Sequence, residues 1–213
     1  MAARHRTGFV LLALASLAPG SARGEFQTLM RFDLGPAKSS FDAAFGPGNW
    51  RLESATLRLS AANPNNPIFN PSAAGPFSVG WMQNDAWVEG TGTPMSPTLD
   101  GVMYATLPAF ISPQDQGLGT FAFAGGTSGT ANYALNVGSG FSGDVEAGGL
   151  LSMRLFAEPG TTVAYNFSSR SFQTVGNRPL LTLSATEVPE PSGMLAMSLA
   201  AAAMLRRSRC HSR

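Results

Sequence analysis

Glycine and proline punctuate this chain so densely that no long amphipathic helix fits between them. The 213 residues include 24 glycines and 15 prolines. From residue 25 to residue 187 no segment keeps an apolar residue every three or four positions over three turns. The intervals hold alternation with a period of two instead. In Leu29–Leu34, Met30, Phe32 and Leu34 fall on one side and Arg31 and Asp33 on the other. In Ser54–Ser60, Ala55, Leu57 and Leu59 oppose Thr56, Arg58 and Ser60. Successive side chains of a strand point to opposite faces, so these runs read as half-buried strands. Phe77–Met82, Asp85–Val88, Thr120–Ala124, Ala131–Val137, Leu150–Phe156, Thr162–Phe167 and Pro179–Ser184 continue the series. Short strands at this spacing predict an all-β fold, a single antiparallel β-sandwich. Thirteen of the fourteen phenylalanines lie within it and supply packing. Pro64–Pro76 reads as a long loop, and the glycine-rich stretch around Asp144 and Glu146 as a solvated loop without EF-hand spacing.

The two ends have a different character. Met1–Gly24 shows the three parts of a secretory signal peptide. Arg4 and Arg6 supply the positive region, Gly8–Leu17 the apolar helix, and Pro19 and Gly20 its end. Small residues then offer signal peptidase a site after Ala22 or Gly24. At the other end Val188-Pro-Glu-Pro-Ser192 precedes an apolar run, Gly193–Leu205, followed by Arg206, Arg207, Arg209 and Arg213. Prolines 189 and 191 stop any preceding strand. Thirteen apolar residues make a helix about 20 Å long at roughly 1.5 Å per residue, short of a hydrocarbon core of about 30 Å. Snorkelling arginines extend its reach, and a basic end favours the cytoplasmic side, so Arg206, Arg207 and Arg209 read as the stop of a membrane anchor with the body outside. The expected organisation is a signal peptide over 1–24, a β-sandwich ectodomain over 25–187, and a sorting and anchor segment over 188–213.

Separating the ends changes the charge. The whole chain is +1, but residues 25–187 carry seven basic and twelve acidic side chains, a net of −5. That disfavours nucleic acid as a partner. Cys210, His5 and His211 all lie in the ends. The body therefore has no disulfide, no thiolate nucleophile, no Cys/His metal site and no Ser-His-Asp triad.

Asp85-Ala-Trp-Val-Glu89 places two carboxylates four residues apart beside an indole. One reading is a sugar or cation site near a strand end; the other is a structural corner in which Trp87 packs and Glu89 pairs with a turn or an arginine such as Arg170. Trp50, Trp81, Trp87, Tyr104, Tyr133 and Tyr165 are candidate sugar platforms or core. Arg31, Arg58, Arg154, Arg170 and Arg178 could form a fork for uronate carboxylates, or pair across strands with Asp33, Glu53 or Glu158.

The Val-Pro-Glu-Pro-Ser motif, the short apolar helix and the terminal arginines together resemble the PEP-CTERM sorting domain, over residues 188–213. The resemblance implies processing by an exosortase, a membrane transpeptidase-like protease of Gram-negative bacteria that make extracellular polysaccharide, with Pro189, Glu190 and Pro191 as the recognised motif. It also implies export across the inner membrane, anchoring through the C-terminal helix before processing, and release to the cell surface or the extracellular space. Within the body, Leu29-Met-Arg-Phe-Asp-Leu34, Ser54-Ala-Thr-Leu-Arg-Leu59, Trp87-Val-Glu-Gly90, Ser169-Arg-Ser171 and Arg178-Pro-Leu-Leu181 occur in an order similar to that of the DNRLRE or disaggregatase-related modules. Those modules are jelly rolls, some of which bind acidic polysaccharide. The expected protein is a jelly-roll-like, non-enzymatic matrix component with no cofactor, metal or catalytic residue, contacting polysaccharide or neighbouring proteins. The alternative is a secreted carbohydrate-active enzyme using carboxylates alone, from Asp85, Glu89 and Asp100.

Overall fold

Where the sequence alternates, the chain is extended, and the extended segments pair antiparallel into two sheets. The computed structural model describes residues 2–5, 9–12, 27–63, 73–91, 98–103 and 105–188. Its strands are β1 (Ala2–His5), β2 (Phe9–Leu12), β3 (Gln27–Asp33), β4 (Trp50–Ser60), β5 (Gly75–Met82), β6 (Gln116–Phe123), β7 (Thr130–Leu135), β8 (Leu150–Ala157) and β9 (Leu180–Glu187). One sheet has the order β1-β9-β4-β7 and the other β2-β3-β8-β5-β6. Phe9–Leu12 pairs antiparallel with Gln27–Met30. An apolar stretch beside an open strand edge completes its backbone hydrogen bonds there as well as in a helical turn. Residue 1, residues 6–8 and 13–26, the leader's cleavage site among them, and the tail from Pro189 onward lie outside the described residues.

The two sheets face each other across one core. Met30, Phe32, Phe77, Val79, Leu151, Met153 and Leu155 enter it from one sheet, and Ala55, Leu57, Leu59, Tyr133, Leu181 and Leu183 from the other. Alternating strands stacked face to face bury their inward residues in this way. Phe77 sits at the centre of an aromatic group, its ring centroid 5.3 Å from those of both Tyr133 and Tyr165.

Two helices depart from the β reading. α1 (Gly35–Phe45) buries Ala37 and Phe41, and α2 (Ser139–Ala147) buries Phe141 and Val145. α1 adds Phe45, partly buried against the same core, while α2 rests on its one pair, so packing rather than a long apolar stripe holds them. They touch each other and close one end of the sandwich. Phe41 meets Trp50 with centroids 5.0 Å apart. A Cβ on Gly140 would run into the indole ring of Trp81, so only glycine lets α2 lie this close. Asp144 and Glu146 consequently lie on a helix and not in the expected loop.

Two expected strands are not strands. Asp85–Val88 leaves the sheet because Asn84 Oδ1 accepts from the Ala86 amide, and because the carbonyls of Asp85 and Trp87 are taken by Arg31 instead of by a neighbouring strand. Residues 162–167 pair only intermittently, with Ala73 through Ala164 and with Ala61 across a bridge to Phe167.

Candidate functional site

The chain after β5 does not turn straight into β6. It folds back over the outer face of the five-stranded sheet, where Leu29, Met82, Trp87, Val102 and Leu107 make a second, smaller core with Phe110 packed against it. Trp87 is its plug, 2% exposed, and its indole N–H donates to Ser152 Oγ at 2.8 Å. Arg31 holds the plug from the side. Its Nη1 donates to the carbonyls of Asp85 (2.9 Å) and Trp87 (2.7 Å), and its guanidinium carbon lies 4.6 Å from the Trp87 ring centroid. This cation–π contact is partly shielded from water, where such contacts are strongest.

The nominated carboxylates have separate environments. Asp85 is half-buried, and burial pushes its carboxyl up, opposed by a hydrogen bond from Ser152 and by the charge of Arg31. Glu89 points outward and pairs with Arg170 at 2.8 Å, tying the stretch after β5 to the connection between β8 and β9. Asp100 is fully exposed and accepts from Thr98 Oγ1 and from the Thr91 hydroxyl and amide, which hold it down at about 2. Asp144 receives the Trp81 indole N–H at 2.6 Å. Burial pushes Asp144 up; the Trp81 hydrogen bond opposes the shift and the negative charge of Asp85 reinforces it. The proximity of Asp85 to Asp144 has no signature in the sequence, since it depends on where α2 lands. Among the described residues no three carboxylate, imidazole or thiol groups gather as a metal site would require.

All three tryptophans are buried, and each satisfies its N–H on a side-chain oxygen: Trp50 on Asp42, Trp81 on Asp144, Trp87 on Ser152. None is a flat exposed platform. Tyr133 is buried, Tyr165 packs against the main core, and Tyr104 lies outside the described residues. The five arginines of the proposed fork are dispersed. Arg58 donates to the Gly176 carbonyl and Arg178 to that of Phe172, while Arg31 and Arg170 are engaged as above. Among the described residues the ion pairs are Lys38–Asp42 and Arg170–Glu89, so none of these arginines is seen paired with Glu53 or Glu158.

Beyond the Trp87 cover the outer face of the five-stranded sheet is partly exposed: among the described residues Gly117 and Thr120 are exposed, Gly80, Arg154 and Phe156 half-buried and Ser78 buried. Strand register sets its side chains in rows. Leu29, Arg154, Gly80 and Gly117 form one row, and Gln27, Phe156, Ser78 and Thr120 the next. Arg154 stands at the border between the covered and partly exposed halves, its guanidinium carbon 4.5 Å from the Phe156 ring centroid. Ser78 and Thr120 hydroxyls lie 2.7 Å apart, and both donate to Glu158 Oε1. Alternation in Leu150–Phe156 already puts Ser152, Arg154 and Phe156 on one side, but nothing in the sequence says that the first is covered and the others partly exposed.

No known protein family matches the chain, and no curated protein is significantly similar to it. Among the described residues no helix is long and apolar enough to cross a membrane.

Proposed function

We propose that this is an exported, surface-sorted β-sandwich that serves the extracellular matrix as a non-enzymatic binding or structural module. The observation that carries the reading is how the candidate catalytic groups are used. Asp85 belongs to the Arg31–Trp87 corner, Glu89 to an ion pair, and Asp100 to a threonine-bound turn. A carboxylate-only glycosidase needs two carboxyls facing one cleft, one of them free to give a proton. Asp100, held down at about 2 by its hydrogen bonds from Thr98 and Thr91, is ionised near neutral pH and ill suited to be that acid.

The strand orders support a jelly-roll arrangement. Between β3 and β9 every connection passes from one sheet to the other, except that joining β5 to β6. Sorting rests on the tail motif. Glu190→Ala keeps the signal peptide and removes the central motif residue, so the variant is exported but left unprocessed. Cell fractionation with immunoblotting tests this, and a variant processed and surface-located like the native protein refutes the sorting reading.

A further inference from the structure

We propose that removal of the leader turns one side of the sandwich into a self-pairing surface, on which the freed edges of β3 and β9 join those of a second copy of the chain. The inference rests on the export reading above, because signal peptidase cutting after Ala22 or Gly24 takes away both β1 and β2. In the full chain β1 lies along β9, from Ala2 opposite Ser184 to His5 opposite Leu181. Likewise β2 lies along β3, from Phe9 opposite Met30 to Leu12 opposite Gln27. Each leader strand ends its sheet, so its loss leaves β9 and β3 as edges. From His5 to Phe9 the chain takes four steps, which reach about 14 Å at most. The two vacated edges therefore lie on one side of the molecule, one in each sheet.

Neither edge carries what keeps a strand from pairing further. Exposed edges are blunted by prolines, bulges or charges. β3 keeps seven consecutive pairs with β8 and no bulge, and β9 has no proline and no charge between Leu180 and Thr186. Of the two charged residues of β3, Arg31 is turned onto the Trp87 corner, and Asp33 accepts from the Gly35 amide at the strand's end. The opposite side differs. There β6 shifts register against β5 beside Leu118, and the Leu118 carbonyl is taken by the Asn136 amide. The occupant follows from the geometry. A partner must present two strands at the spacing of packed sheets, about 10 Å, and a second copy has that spacing by construction. A two-fold axis perpendicular to the sheets sets β9 against β9 and β3 against β3, both antiparallel, and closes the assembly at a dimer. While the leader is attached its strands fill the same places, so pairing waits for export.

The test compares, by sedimentation velocity in mild detergent, the purified full chain with the product that signal peptidase makes from it. The full chain is expected as a monomer and the product as a dimer. Thr182 and Ser184 alternate with the core residues Leu181 and Leu183, so they face outward beside the seam. Thr182→Lys/Ser184→Lys sets like charges across it and should weaken the dimer about tenfold, with an unchanged circular dichroism spectrum. Asn132→Lys, on β7 at the opposite edge, should dimerise as the native product does. A peptide of residues 2–12, which carries both leader strands, should compete and return the product to monomers. A monomeric product, a dimer that resists both the lysine pair and the peptide, or a full chain that already dimerises each overturns the proposal. A product that grows beyond a dimer overturns the two-fold pairing. A full chain that signal peptidase leaves whole overturns the export reading, and the proposal falls with it.

Discussion

Trp87→Ala removes the plug of the smaller core, and the structure sets the size of the effect. The indole is almost wholly buried, donates one hydrogen bond and stacks on a guanidinium. Truncating a buried tryptophan costs about 3–5 kcal/mol. The stretch above it is a loop and collapses more readily than a sheet, which puts the cost near the lower end, about 3 kcal/mol. For a domain of this size that lowers the melting temperature by about 6–12 °C. Trp87→Phe keeps most of the volume and loses the N–H bond to Ser152, so it should cost about 1 kcal/mol. Ser152→Ala leaves the indole N–H buried without an acceptor, at about 1–3 kcal/mol. Circular dichroism melts of the three variants and the Trp87→Phe/Ser152→Ala double variant measure the coupling directly. A Trp87→Ala protein that melts with the native one would refute the account of Trp87 as packing, and strictly additive Trp87→Phe and Ser152→Ala costs would refute the hydrogen bond.

Asp144 has its carboxyl pushed above 3.8, so its contribution to stability is fully present below 3.8 and is lost as pH rises through its higher folded value. Asp144→Asn stays neutral and still accepts from Trp81, so its melting temperature should gain on the native protein as pH rises above 3.8 and converge with it in acid; a gain that grows toward acid contradicts the burial argument. Gly140→Ala should destabilise by about 1–3 kcal/mol because the indole below cannot give way, even though alanine is the better helix former, and a stabilised variant would show α2 seated differently. Arg170→Ala breaks an exposed ion pair and should change stability by less than about 1 kcal/mol, read as denaturant midpoints at low and high salt.

The strands were legible because their burial obeys a period of two that neighbours cannot disguise. Ala55, Leu57 and Leu59 face the core as their spacing dictates, as do Met30, Phe32 and Leu34. The helices were not. Ser139-Gly-Phe-Ser-Gly-Asp-Val-Glu-Ala147 has glycine or serine at four of its nine positions and two buried side chains, so its local signal is that of a turn. Asp85–Val88 failed for the opposite reason. Its alternation is genuine, with Trp87 inward and Val88 53% exposed, but the partner for its carbonyls is the side chain of Arg31 and not a strand. The partly exposed row around Arg154 was legible only as a face. Which half of that face the chain covers depends on long-range packing that no local pattern encodes.

The stretch between β5 and β6 has a consequence for how the molecule opens. Its hold on the sheet is the small cluster around Trp87, separate from the aromatic core between the sheets. Free energies of local opening follow such divisions, each cooperative unit having its own. The cover should therefore lift at a cost well below that of global unfolding, uncovering Leu29, Met82 and Ser152 while β3, β8 and β5 stay paired. Amide exchange from residues 83–91 and 105–111 would then outpace that of the strands beneath, and a protease would cut there first. Wherever a protease meets this protein, its lifetime should therefore follow the opening of that flap and not the unfolding of its sandwich.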